Sequence, residues 1–229
     1  TSASDVIWIN INGTNFPTGG PHDLISAAAG SSLNNASYFL ANNTDYTATL
    51  SKTAQTVTIG NYTSVPPLFD AYWIGGQLSG AGLGAMSLSS GTSSNWADNE
   101  TGTLAGGVVP GGTSVNVIFG ATGATQQSQV TTEGGPDINL ASITFNDTTA
   151  VTIGGTRTIT LNSTSSTAAS TTAALAAVIP GSAISVTSFA NNTNTINANI
   201  ALGTAQTWNV ASGKDLQVGG IVSGTGALT

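Results

Sequence analysis

The chain has 229 residues, of which 39% are hydrophobic and only 6% charged, and its formal net charge of −7 sets ten carboxylates against three cations. Lys52, Arg157 and Lys214 are too few and too dispersed for a basic patch, which argues against nucleic acid and against an anionic lipid surface as partners. Cysteine is absent, so disulfides, thiolate chemistry and sulfur-ligated metal sites are excluded.

Charged residues usually make up roughly a quarter of a soluble domain. Here Thr, Ser, Asn and Gly take their place, a surface typical of exported β proteins. No apolar run approaches the roughly 18 residues of a membrane helix, so direct membrane insertion by this segment is not expected. The opening TSASD has neither a basic n-region nor an apolar h-region.

Residues 1–69 read as a β-rich N-terminal cap or small domain with irregular connections. DVIWINI carries Ile7, Ile9 and Ile11 on one face and Val6 and Trp8 on the other. DLISAAAG reads as a short helical turn closed by Gly30. YTATL (46–50) and TVTIG (56–60) alternate with period two and end on turn residues. SVPPLFD (64–70) reads as a linker, because two prolines forbid regular pairing. Residues 70–136 form a looser, glycine-rich lead-in, with Val115, Val117 and Phe119 sharing a face.

Beyond residue 137 the pattern sharpens. Apolar pairs spaced i, i+2 recur as Ile143/Phe145, Val151/Ile153 and Ile159/Leu161, and again as Ile200/Leu202, Trp208/Val210 and Leu216/Val218. Turn strings such as NDTT, GGTR and ASGK separate them. Three such steps make a coil of about two dozen residues, the scale on which a triangular solenoid closes one turn. The spacing therefore favours an all-β chain whose part 137–229 is a right-handed parallel β-helix (β-solenoid), with a β-sandwich as the competing architecture. Inward residues then stack as Ile, Val and Leu ladders, while Thr144, Thr152, Thr158, Thr160, Thr207, Asn209 and Gln217 face outward. The low-complexity stretch 163–182, with Leu175, Val178 and Ile179 as its only sizeable apolar residues, interrupts the repeat as an excursion, with a helical turn ahead of Pro180.

The segments NLASITFNDTTAVTIGGTRTITLNS and NTINANIALGTAQTWNVASGKDLQVGGIVSGTGALT closely resemble the repeats of bacterial autotransporter-associated β-strand proteins. AYWIGG, NWADN and PGGTSVNVIFG are similar to the segment that often precedes those repeats. The resemblance covers about residues 70–229. It implies a right-handed β-helix within a long secreted or surface-attached passenger, usually linked to an outer membrane, of which this chain is a piece. The family offers no catalytic motif and no cofactor to carry over. Its translocating barrel has no counterpart in this sequence.

Four constellations invite chemistry. Asp98 and Glu100 lie two apart in NWADNET, and Glu133 and Asp137 flank GGP. A glycosidase needs two carboxylates facing each other across a cleft, but these sit in turn-like strings and read as solvated acids. His22, the only histidine, follows Pro21 and reads as a surface-loop residue. One histidine with scattered acids makes a transition-metal site improbable, no calcium-binding repeat is present, and GTGAL and GATGAT lack the lysine–serine pair of a phosphate loop. Trp8, Trp73, Trp96 and Trp208 are candidates for a sugar-stacking platform, although Trp208 falls on an inward beat.

Eight N-x-S/T sequons occur, at Asn12, Asn35, Asn42, Asn61, Asn99, Asn146, Asn162 and Asn191, a small excess over what this composition supplies by chance. The leading expectation is a non-catalytic structural or adhesive segment at the cell surface or outside the cell. Its partners are further repeats of the parent chain, identical subunits stacked end to end, or a surface glycan or receptor. A second reading is a glycosylated, pilus-like filament subunit whose donor strand is Val6, Ile7, Trp8, Ile9 and Ile11. A third is a polysaccharide-binding or polysaccharide-cleaving protein.

Overall fold

The computed structural model describes residues 5–11, 20–78, 83–90, 93–102, 107–163 and 182–229. Asn12 and nearly all of the 163–182 stretch lie outside the described residues. The protein is all-β, with five sheets that mix parallel and antiparallel pairing. Helical structure among the described residues is limited to two 3₁₀ turns, Leu33–Asn35 and Gln127–Gln129.

The N-terminal part contributes β1 (Val6–Ile9), β2 (His22–Ser26), β3 (Ser37–Leu40), β4 (Tyr46–Lys52) and β5 (Thr56–Ser64). Strands β2, β5 and β4 form an antiparallel sheet. Strand β1 pairs in parallel with β3. DLISAAAG is thus not a helical turn. Its first half is strand β2, because His22 to Ser26 find backbone partners along Thr56 to Ile59 that no local helix would supply.

Next come β6 (Asp70–Trp73), β7 (Gly84–Ala85), β8 (Ser89–Ser90), β9 (Ser93–Ser94) and β10 (Trp96–Ala97). The short hairpin β8–β9 returns to the N-terminal part and pairs with β3. Twelve strands follow among the described residues: β11 (Asn116–Phe119), β12 (Val130–Thr131), β13 (Ile138–Leu140), β14 (Ser142–Phe145), β15 (Thr152–Gly154), β16 (Thr158–Leu161), β17 (Ser182–Val186), β18 (Thr193–Ile196), β19 (Asn199–Leu202), β20 (Thr207–Val210), β21 (Asp215–Val218) and β22 (Val222–Gly224).

Along these twelve, each strand from β11 to β19 hydrogen-bonds to the strand three places on. One sheet runs β10-β6-β11-β14-β17-β20, a second β7-β12-β15-β18-β21 and a third β13-β16-β19-β22. Apart from β10 on β6, every pairing in the three is parallel. A parallel partner cannot be reached through a hairpin. Here the chain reaches it by passing through the other two sheets.

Register lines like residues up in columns. Val117, Ile143, Ile184 and Trp208 form one column, and Val130, Ile153, Ile196 and Val218 a second. Ile138, Ile159, Ile200 and Val222 form a third, flanked by Leu140, Leu161 and Leu202. All but the last members are buried in one continuous cluster. From Ile184 to Trp208 the step is 24 residues, and from Ile143 to Ile184, across the low-complexity stretch, it is 41; the in/out phase is the same after both.

The ladders begin earlier than the sequence suggests. Strands β6 and β7 already stand in register beneath β11 and β12, so the stacking starts at Asp70 within the supposed lead-in. These first strands are short and separated by glycines, which hides their periodicity. The prolines of SVPPLFD do exclude pairing between β5 and β6, but Leu68 is buried in the main core, so the segment is anchored rather than loose.

An aromatic group fills the first end of the core. Trp73 and Trp96 meet edge to face at 5.1 Å, and Phe119 stacks on Phe145 at 5.7 Å. Both indole N–H groups are satisfied, Trp73 by the Thr125 carbonyl at 2.9 Å and Trp96 by the Met86 carbonyl at 2.7 Å.

The outer face of the first sheet departs from the expected hydroxyl ladder. Tyr72 and Ile118 point outward but are covered by Ala97 and Ala121 in a second apolar cluster, and Thr144 above them is buried as well.

Ile153 lies in the middle of its column and is fully buried. Truncation by Ile153→Ala should cost about 3 kcal/mol, whereas Thr152→Ala on the outer face should cost less than about 1 kcal/mol. Urea unfolding of both variants checks this; equal losses would contradict the column geometry.

Candidate functional site

The last pass of the chain is built differently from those before it. Strands β20, β21 and β22 are the outermost members of their three sheets. Trp208, Leu216 and Val218 point inward and pack on the core, yet are only partly buried. Val210 and Val222 are about two-fifths exposed, and Ile221 is 70% exposed. Apart from a bridge of Leu228 to Gln206, no further strand covers these edges among the described residues. Edge strands are commonly blunted by charge, but Asp215 is the only charged residue on these three.

The glycine-rich tail follows from close stacking. A Cβ at Gly220 would collide with the Ala198 carbonyl of the pass below. Only hydrogen fits there. Lys214 fastens the same pass, donating from Nζ to the Ala190 carbonyl at 2.6 Å and to Asn192 Oδ1 at 3.3 Å. The Trp208 indole N–H is buried without a partner.

Two of the four carboxylates singled out from sequence, Glu133 and Asp137, act as staples between turns. Glu133 accepts from the Thr156 backbone N–H and, at 2.7 Å, from its hydroxyl, with Arg157 Nε 4.0 Å away. Asp137 Oδ1 accepts from the Thr158 N–H at 2.9 Å, so both acids clasp the same neighbouring turn. Asp98 is exposed and takes a bond from Asn99 Nδ2, while the Glu100 carbonyl receives the Thr122 N–H at 2.8 Å. Among the described residues no cluster of His, Cys, Asp and Glu is arranged to hold a metal ion.

His22 is on strand β2 rather than in a loop, and its buried Nε2 has no hydrogen-bond partner, so no nucleophile is bonded to that nitrogen. The tryptophans form no sugar platform: Trp73 and Trp96 are fully buried. Trp8 lies 5.5 Å from Phe39 and against Gly134, whose φ of +94° and missing side chain admit the ring. Strand β1, the candidate donor strand, is paired to β3 of its own chain.

Of the sequon asparagines, Asn35 and Asn61 are exposed. Asn42 is occupied, gripping the Ile11 backbone N–H and C=O at 3.0 Å each. Asn146, Asn162 and Asn191 likewise bond to neighbouring turns or strands through their amides, and the Asn99 amide bonds Asp98 and Thr101 within its own turn.

Two arrangements escape a reading of the sequence. Asn194 is a buried amide within the second sheet, accepting the Val151 N–H at 3.1 Å. Its signal is positional, because it shares a register line with Leu216. A polar ladder also links Asp70, Asn116 and Ser142 across three strands, with bonds of 2.8 and 2.7 Å.

Cavities border the fold among the described residues. One of about 460 Å³ is bounded by Asn42, Met86, Gly111 and Asp137, and one of about 420 Å³ by Pro66, Phe69 and Asp98. Comparison with protein-family models, with curated proteins and with solved structures found no match.

The two Thr156 bonds, with a smaller contribution from Arg157, hold Glu133 below the ordinary glutamate value. A depressed carboxyl pKa stabilises the fold above the unfolded-state value and loses that contribution as pH falls through the folded-state one. The wild type should therefore lose up to about 1 kcal/mol more than Glu133→Gln on acidification below about pH 4.5, the small size reflecting solvent exposure. Urea midpoints at neutral and acid pH measure the difference.

Proposed function

We propose that the chain is a non-catalytic structural segment of a secreted or cell-surface protein, a right-handed parallel β-helix whose coils stack into a stiff stalk. The observation that carries this reading is the three-strand recurrence: every third strand pairs in parallel, in register, through four successive passes. Each pass adds a slice of apolar core and a ring of backbone hydrogen bonds, so length accumulates without disulfides or a charged surface. The resemblance to autotransporter-associated repeats agrees with this reading and supplies the surface location and the adhesive role.

The partner at the last pass is more of the same architecture, either a further coil of a longer parent chain or an identical subunit. Three adjacent strand edges with few charges and half-covered apolar side chains suit such a neighbour. The intramolecular pairing of β1 gives the donor-strand filament no comparable support. Asp98 and Glu100 in a turn give a cleaving enzyme none either.

If the last pass is an assembly surface, the purified chain should associate as its concentration rises, and Val210→Lys combined with Val222→Lys should abolish association while leaving far-UV circular dichroism unchanged. Light scattering over a dilution series reads this directly. A wild type that remains strictly monomeric at high concentration would sink the assembly reading.

A further inference from the structure

One aromatic ring away from the last pass is held rigidly and left bare. Phe69 is 66% exposed, in contrast to the fully buried Trp73, Trp96, Phe119 and Phe145. Its backbone is fixed on both sides. The Phe69 carbonyl accepts the Asn116 N–H at 2.7 Å, Leu68 before it is buried in the main core, and Asp70 after it opens strand β6. Upstream, the Val65 N–H donates to the Asp45 carbonyl at 2.9 Å. Pro66 and Pro67 between them have φ locked by their rings.

The ring borders the cavity of about 420 Å³ together with Pro66, Pro67, Asp70 and Asp98. Each carboxylate spends one oxygen on an amide, Asp70 on Asn116 and Asp98 on Asn99, both at 2.8 Å. Among the described residues no cationic side chain lies there. Lys52 bonds the Ala36 carbonyl, Lys214 bonds the Ala190 carbonyl, and Arg157 lies beside Glu133. A preorganised aromatic surface and two uncompensated carboxylates thus meet at one cavity on a chain of net charge −7.

We infer that this cavity binds a cationic side chain, an arginine guanidinium or a lysine ammonium, carried on an extended segment of a partner protein. A cation over the face of Phe69 gains from the ring quadrupole, and the carboxylates supply the opposite charge. The overall acidity steers a basic partner toward the surface. Because the backbone around the ring is already fixed, little ordering entropy is lost on binding. The inference rests on this local geometry and not on the stalk reading.

The test is a titration of the isotopically labelled full chain, followed by NMR, with a blocked peptide of alternating glycine and arginine. Saturable shifts are expected at residues 65–70 and 98, with Kd on the order of 1 mM and weakening as NaCl rises from about 50 to about 500 mM. Phe69→Ala should weaken binding at least about tenfold and Asp98→Asn about threefold. Phe69 is exposed, so the fold should survive its replacement, and the variant's own spectrum verifies that. Replacing arginine by uncharged citrulline should abolish the shifts. The inference is overturned if the arginine peptide produces no saturable shift, if Phe69→Ala binds as well as the wild type, or if the citrulline peptide or a neutral oligosaccharide moves the same amides equally.

Discussion

Register between every third strand is the constraint on which the rest of the molecule depends. A one-residue slip in a strand exchanges its inner and outer faces, so each pass must deliver its apolar beats where the previous pass left room for them. The columns Val130–Ile153–Ile196–Val218 and Leu140–Leu161–Leu202 record that agreement. The phase even survives the long step from Ile143 to Ile184. Once the columns are aligned, the backbone bonds form a ladder and the turns come to lie one above another.

That vertical alignment of turns explains how a chain so poor in charge is fastened. Thr187 donates to Asn146 across one pass, Asp137 and Glu133 clasp the turn at 156–158, and Lys214 reaches down to Ala190. The amides of Asn162 and Asn191 add neutral bonds to the Leu140 and Thr148 carbonyls one pass away, without the desolvation cost of an ion pair. Glycine serves the same closeness by omission: where Gly220 crosses Ala198, a side chain would hold the passes apart. Among the residues that looked like sites in the sequence, Glu133, Asp137, Asn146, Asn162 and Asn191 are such fastenings.

The exceptions lie where the stacking stops. At the first end Trp73, Trp96, Phe119 and Phe145 close the core from within, and the N-terminal strands lie alongside, with Trp8 seated on Gly134. At the other end Trp208, Leu216 and Val218 continue the inward pattern but remain half-covered. The same kind of side chain therefore has opposite surroundings at the two ends. Trp73 and Trp96, proposed as part of a sugar platform, turn out to be core at one end, while Leu216 and Val218, which look like core, are only half-covered at the other.

Period-two alternation and the eight-residue beat were legible from residue letters alone, because the choice of Ile, Val, Leu or Phe at every second position is local chemistry. Ile143, Phe145, Val151, Ile153, Ile159 and Leu161, read as inward, are all buried. The chain could not reveal by itself which partner would claim a segment. DLISAAAG became a strand because β5 offered backbone partners, and Tyr72 and Ile118 were covered because Ala97 and Ala121 pack on the outer face of their sheet. Phe69 passed for part of a linker because its exposure is defined only once Leu68 is anchored in the core. Composition and periodicity settled that the chain is β and which faces are apolar, since both follow from side chains a few residues apart. Neighbours, burial and the bare ring were decided by contacts dozens of residues distant, which only the tertiary arrangement brings into being.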